Sequence, residues 1–139
     1  MKRVFLDTNI LLDALETGRP RHQDGLDILT LAGNGRIEAV VSSQSIVDVA
    51  YIYTKGQKVR LSSLKTLVKH FDDILSIRET NRRNLMLAAA HFTDDYEDAL
   101  QASIALDAEC EVIITGDRDF DEPFGIPVVS PDEFCRMIK

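Results

Sequence analysis

The chain has 139 residues, 45% of them hydrophobic, and a formal net charge of −7. That length suits one domain burying roughly two-thirds of its unfolded surface, and the composition excludes a disordered or low-complexity chain. No stretch reaches the roughly 18 uninterrupted apolar residues of a membrane helix, and the acidic balance argues against non-specific adhesion to nucleic acid.

Residues 3–7 are expected to form a strand built on Val4, Phe5 and Leu6, with Asp7 at its end. Lys2 and Arg3 faintly suggest a signal peptide, but Asp7 and Asp13 interrupt the apolar run and no small-residue cleavage site follows; the expected location is the cytoplasm. A short helix over 9–16 ends near Gly18. Residues 21–33 form a second helix, with Leu26, Leu29 and Ala32 on one face and Gly33 and Gly35 as breakers. "IEAVVS", 37–42, is a second strand, after which Ser43 can cap a helix over 44–54. Residues 59–71 read as an amphipathic helix, with Leu61, Leu64 and Val68 opposite Lys65 and Lys69.

"DILSI", 73–77, is a third strand, followed by helices over 80–92 and 96–109. "EVIIT", 111–115, and "IPVV", 126–129, are the fourth and fifth strands; Pro127 suits an edge, and Pro131 opens a last helix over 132–138. Strand–helix alternation with near-continuous apolar strands predicts an α/β domain, a central parallel sheet of about five short strands with helices on both faces. Cys110 and Cys135 have no metal-ligand spacing and are expected as buried reduced thiols.

In such a sheet ligands bind beyond the carboxyl ends of the strands. Asp7 follows the first strand there, and taken alone it is most simply a helix N-cap. Asp48 is isolated in the apolar helix "SQSIVDVAYIY", a helix expected to be substantially buried, where an ionised carboxylate is costly unless it is met by a partner. Asp98 continues the small-residue stripe of Ala102 and Ala105 towards the start of its helix and is expected to face inward, whereas Asp94, Asp95 and Glu97 read as compensation of the helix dipole. Asp117 and Asp119 follow the fourth strand in "VIITGDRDF", where an Asp-rich turn is the simpler alternative. Converging carboxylates would repel one another, and a divalent cation relieves this. An all-oxygen set without paired His or Cys suits Mg²⁺ or Mn²⁺ rather than Zn²⁺. Such an ion can activate water for attack on a phosphodiester.

With these motifs the sequence resembles the PIN domain family: "VFLDTNILLD" is similar to its first motif, "DYEDALQASIA" to its third acidic motif and "VIITGDRDF" to its fourth. Length and organisation are similar to VapC-type toxins of toxin–antitoxin pairs. The resemblance implies a three-layer α/β/α PIN-like fold over residues 1–139 and a metal-dependent endoribonuclease. Asp7, Asp48, Asp98 and Asp117 would form the Mg²⁺ or Mn²⁺ site, with Thr8, Asn9, Thr115 and Asp119 in support. It also implies a homodimer and an antitoxin that covers the acidic pocket. Asp48 stands where the family usually has Glu, and Asp117 and Asp119 could exchange roles.

The stretch 55–70 is basic, so Lys55, Lys58, Arg60, Lys65 and Lys69 are candidate RNA contacts, against a plain solvated helix or a dimer rim. Arg78, Arg82 and Arg83 form a second basic group. Tyr51 and Tyr53 could stack bases, though core or interface is the commoner use of tyrosine on an apolar helix. The alternative function is a PIN-like binding module that no longer cleaves. Phosphatase and receiver-domain readings lack their required second acid or Lys. Asp13 is expected to be solvent-facing or capping.

Overall fold

Val4, Phe5 and Leu6 are inaccessible to solvent, as a strand apolar on both faces must be if it runs through the middle of a sheet. The computed structural model describes residues 2–55 and 61–138. In it β1 (Lys2–Leu6) lies at the centre of five parallel strands, with β2 (Ile37–Ser42), β3 (Ser76–Arg78), β4 (Val112–Ile114) and β5 (Val128–Val129) in the order β3-β2-β1-β4-β5. Val4 sits opposite Ala39 on one side and Val112 on the other. The chain winds from β1 out through β2 to β3, then returns to β1's other side with β4. The crevice between the carboxyl ends of β1 and β4 is therefore the topological switch point, where open α/β sheets bind ligands.

Side chains alternate across the pleat. Val4 and Leu6 join a core with Ile10 and Leu11 of α1 (Thr8–Leu15), Ile28 of α2 (His22–Gly33), Phe71 of α4 (Leu61–Ile74) and Phe134 of α7 (Pro131–Ile138). Phe5 points the other way, with Val40 and Ile113, onto Ala102 and Ala105 of α6 (Tyr96–Asp107). The small alanines let α6 lie close against that face, and α5 (Arg82–His91) packs behind it through Ala88. Each fully buried Phe, Leu or Ile contributes roughly 1.5–3 kcal/mol. The result is the three-layer α/β/α arrangement expected, with Pro127 immediately before edge strand β5.

Several expectations are corrected. β3 starts at Ser76 because Asp72, Asp73 and Ile74 complete the last turn of α4, whose Phe71 carbonyl accepts from Leu75 N at 2.8 Å. Ser42, not Ser43, caps α3 (Ser43–Thr54), its hydroxyl accepting from Ser45 N at 3.0 Å. α3 is not substantially buried: only one edge packs inward, and Val47 and Tyr51 are 61% and 63% exposed. Apolar composition does not by itself bury a helix that has only one neighbouring layer. Asp13 is neither solvent-facing nor a cap; it is buried and accepts from Arg19 Nε at 2.7 Å. It is buried because Gly25 brings α2 so close that a Cβ there would stand 2.8 Å from Ala14 N and 3.1 Å from Asp13 Cβ.

Cys110 and Cys135 are buried and not joined in a disulfide, and burial pushes the Cys110 thiol up to about 12. Lys58, Arg60 and the start of the predicted helix over 59–71 lie outside the described residues. Among the described residues no helix is long and apolar enough to cross a membrane.

Candidate active site

Asp7 stands at the N-cap position of α1, yet its carboxylate makes no capping hydrogen bond. It turns into the crevice instead. Thr115 Oγ1 donates to Oδ2 at 2.7 Å and Gln101 Nε2 to Oδ1 at 3.2 Å, so the residue after β4 and α6 both hold it. Asp7 is 6% exposed, and burial raises its pKa above the ordinary carboxylate value. Those two bonds and the Thr8 N–H pull against the rise, and the charge of Asp117 adds to it.

Asp7, Asp48, Asp98 and Asp117 all line one open cavity of about 460 Å³, with Thr8 and Asn9 on the same wall. Four carboxylates, from the end of β1, from α3, from α6 and from the loop after β4, thus face one crevice at the switch point. Asp98 is half-buried in the first turn of α6, with its own N–H capped by Asp95 Oδ1 at 3.0 Å. Burial is the largest cause that pushes it up to about 6; Asp95, Asp7 and Asp117 add to this, and the Asp121 N–H opposes it. Asp48 Oδ1 accepts from Gln44 Nε2 one turn earlier at 3.0 Å. Thr115 Oγ1 accepts from Asp117 N at 3.1 Å, so a single hydroxyl ties Asp7 to the Asp117 turn. Asp119 is exposed and its N–H donates to Asp117 Oδ1 at 2.9 Å, but Asp119 is not among the residues lining this cavity.

The donor set is entirely oxygen, as a hard divalent cation prefers. The Gln101 amide spends its nitrogen on Asp7, and its Oε1 is buried without a partner among the described residues, an acceptor left for a hydrogen on bound water. These residues fit a hydrated Mg²⁺ or Mn²⁺. Among the described residues, the group of three ligating atoms within 4.8 Å of one another lies elsewhere: Asp24, Asp27 and Cys135, between α2 and α7, which share no residue with the cavity.

A family model described as PIN domain matches residues 3–119. The chain belongs to the PIN domain family. It is 26% identical over 137 residues to ribonuclease VapC1 of Aquifex aeolicus (strain VF5), covering 97% of this chain and 94% of that one. Among solved structures, this PIN domain superposes on VapBC2 from Rickettsia felis bound to a promoter DNA fragment, at a TM-score of 0.65 and 18% identity over 92% of this chain and 98% of the other. A Klebsiella pneumoniae toxin–antitoxin complex gives 0.64 at 19% identity, with 92% and 97% covered. VapC20 of Mycobacterium tuberculosis, a sarcin–ricin-loop-cleaving toxin, gives 0.63 at 13% identity, with 84% and 92% covered. These distant structures share the fold.

The PIN domain's crevice also holds residues that the sequence reading passed over. Glu97, read as dipole compensation, lines the acid cavity. Its pKa is raised by burial first and then by Asp48, Asp95 and Asp7. Gln101 lies four residues on, on the same helical face, and a lone amide in the apolar run "DALQASIA" was the available signal. Asp121 is buried and draws the loop before α6 around itself: it accepts from Thr93 Oγ1 and N at 2.7 Å, Asp94 N at 2.9 Å and Asp95 N at 3.0 Å. Burial acts to raise its pKa, but these donors win and hold it down at about 2. Its own N–H donates to Asp98 Oδ2 at 3.2 Å.

Of the other candidates, Thr8 Oγ1 bonds Ser45 Oγ at 2.6 Å, which links α1 to α3. Tyr51 is not core: it lies exposed on the cavity rim with Lys55 Nζ 5.6 Å from its ring centroid. Tyr53 is only partly buried. Lys65 and Lys69 are exposed on α4, and neither lines the acid cavity. Arg78 donates to Ser76 Oγ, Arg83 is paired with Asp107, and Arg82 is exposed.

Proposed function

We propose that this PIN domain is a metal-dependent endoribonuclease that hydrolyses RNA phosphodiester bonds, and that it is the toxin of a VapBC-type pair. One observation carries the reading: Asp7 gives up the helix-capping bond available at its position and is held in the crevice by Thr115 and Gln101, beside Asp98 and Asp117. Placing like charges together at a switch point costs stability unless a cation is bound there. The identity to a named ribonuclease along nearly the whole chain supports the same reading.

In this mechanism Asp7, Asp98 and Asp117, with Asp48, hold Mg²⁺ or Mn²⁺. Such an ion, when bound, supplies an activated water and stabilises the charge on the leaving oxygen. The protein's own work is positioning. Thr115 and Gln101 fix both oxygens of Asp7, the Asp121 N–H fixes one oxygen of Asp98, and Gln44 fixes Asp48. Orienting partners of this kind commonly weigh 10- to 100-fold on metal affinity or activity. Asp117 is the fourth acid and Asp119 its support, because Asp117 lines the cavity and Asp119 does not.

The partners that go with this reading are an RNA substrate, an antitoxin and a second copy of the chain, in the cytoplasm. Exposed Val47, Tyr51 and Ile52 on α3, beside the cavity, offer an apolar face to a protein partner. A short neighbouring gene for a DNA-binding protein would support the toxin assignment. The test of activity is cleavage of a mixed-sequence single-stranded RNA with Mg²⁺ or Mn²⁺, compared with Asp7→Asn and Asp98→Asn. Metal-dependent cleavage lost in both variants is expected. Cleavage that survives in both defeats the assignment, and a folded wild type with no cleavage favours a binding module.

A further inference from the structure

A second cavity, of about 450 Å³, opens beside the acid cavity and shares Asp117 with it. Arg21 and Arg118 line it. Arg21, at the N-cap of α2, lies against the turn at Gly116: a Cβ there would stand 2.9 Å from Arg21 Nη1 and 3.1 Å from Cζ. The glycine that lets the chain turn towards Asp117 is thus also what lets a guanidinium approach it so closely. Arg3, Arg19, Arg83 and Arg136 are all paired with carboxylates, whereas Arg21 is exposed and has neither an ion pair nor a side-chain hydrogen bond among the described residues. Its planar fork of donors is unspent.

Three acids share the cavity with it. Asp132 is paired with Arg136, and Asp117 belongs to the metal under the proposed function, which leaves Glu133 as the opposing charge. Phe120 and Val128 supply an apolar wall. An unpaired arginine fork next to a hydrolytic centre matches a backbone phosphate in charge and shape.

We propose that this cavity is a subsite for an RNA backbone phosphate adjacent to the scissile bond, with Arg21 as the principal contact and Arg118 as the second. The proposal rests on the nuclease reading, since the ligand is the strand that the acids would cut. It moves the main RNA contact from the basic stretch 55–70 to Arg21 at the start of α2, with Arg118 of the turn after β4 beside it.

Binding of a labelled single-stranded RNA to the Asp7→Asn chain in Mg²⁺, across a series of salt concentrations, tests it apart from cleavage. Adding Arg21→Ala should weaken binding roughly tenfold at low salt and reduce the log–log salt slope by about 0.7, one phosphate contact on a single strand. Adding Gly116→Ala should do part of the same by pushing the guanidinium away. Lys65→Ala should cost less than Arg21→Ala. In the otherwise wild-type enzyme, Arg21→Ala should raise KM more than it lowers kcat.

Unchanged affinity and slope in the Arg21→Ala chain overturn the subsite while leaving the nuclease reading intact if the wild type cleaves. An Arg21-dependent slope in a chain whose wild type does not cleave keeps the subsite and defeats the nuclease. No RNA binding by any variant overturns the subsite, and the nuclease reading falls with it only if the wild type does not cleave. A weakened protein partner with unchanged RNA binding assigns the cavity to that partner and overturns the proposal.

Discussion

Thr115 Oγ1 donates to Asp7 Oδ2 at 2.7 Å across 108 positions of sequence, and the same oxygen accepts from Asp117 N at 3.1 Å. One buried hydroxyl therefore sets the geometry between the ends of β1 and β4. Thr115→Val keeps the shape but leaves a carboxylate and an N–H short of a partner. The expected cost is about 1–3 kcal/mol of stability, measured by urea unfolding, with a lower kcat. Thr115→Ser should keep most of both; a valine variant as active as wild type would remove Thr115 from the positioning role.

Asp121 gathers four donors from Thr93, Asp94 and Asp95. Asp121→Asn turns an NH₂ towards some of these donors, so the loop before α6 loosens and Asp98 loses its fixed neighbour. The stability loss should be at least about 1.5–3 kcal/mol, the range for hydrogen bonds to a charged group. The folded-state pKa is held at about 2, below the ordinary 3.8. The stabilisation is thus present above pH 4 and is lost as pH falls from 4 to 2. Melting of wild type and variant should converge across that window.

Asp98 has the opposite sign. Its carboxyl sits at about 6 against an ordinary 3.8, so between pH 4 and 6 the folded chain binds a proton that the unfolded chain releases. In the metal-free protein this group favours folding below pH 4, and that contribution is lost as pH rises through 6. Thermal melts with EDTA should show Asp98→Asn gaining on wild type as pH rises from 4 to 7. Added Mg²⁺ or Mn²⁺ should stabilise wild type more at pH 8 than at pH 5, because the ligands must be deprotonated. A metal effect independent of pH would argue against Asp98 as a ligand.

Asp117 and Asp119 separate in a single comparison. Asp117 lines the cavity, while Asp119 is exposed outside it and touches Asp117 only through its N–H. Asp117→Asn should cost cleavage at least tenfold more than Asp119→Asn, because removing the Asp119 carboxylate leaves that N–H in place. Equal losses in the two variants would restore the exchange of roles that the sequence allows.

Gly25 tests how α1 is seated behind Asp7. A Cβ would stand 2.8 Å from Ala14 N and 3.1 Å from Ile10 O, both backbone atoms that cannot swing aside. Gly25→Ala should cost typically 1–3 kcal/mol by overpacking, despite alanine's better helix propensity. A Tm equal to or above wild type would show that the two helices separate freely.

Much was legible along the chain because its signals are local. Apolar runs ending in Asp, the glycine after β4 and the alanine stripe of α6 each announce themselves within a few residues, and together they carried the fold class and the acids Asp7, Asp98 and Asp117 to one edge. Boundaries moved where packing decided them. Phe71 drew α4 onward at the expense of β3, and Ser42 rather than Ser43 met Ser45 N.

By itself the sequence determined which residue types exist to be brought together, and the alternation of apolar strands with helices, since hydrophobic periodicity is a property of the chain; the order that puts β1 between β2 and β4 came with the tertiary structure. Only the tertiary structure decided what each polar group meets. Gln101 reaches Asp7 across 94 positions, Asp121 reaches Thr93 across 28, and Asp13 is buried because a glycine on another helix lets its neighbour approach. A hydrogen bond is directional and a few ångströms long, so its partner is fixed by packing in three dimensions and leaves no period in the sequence.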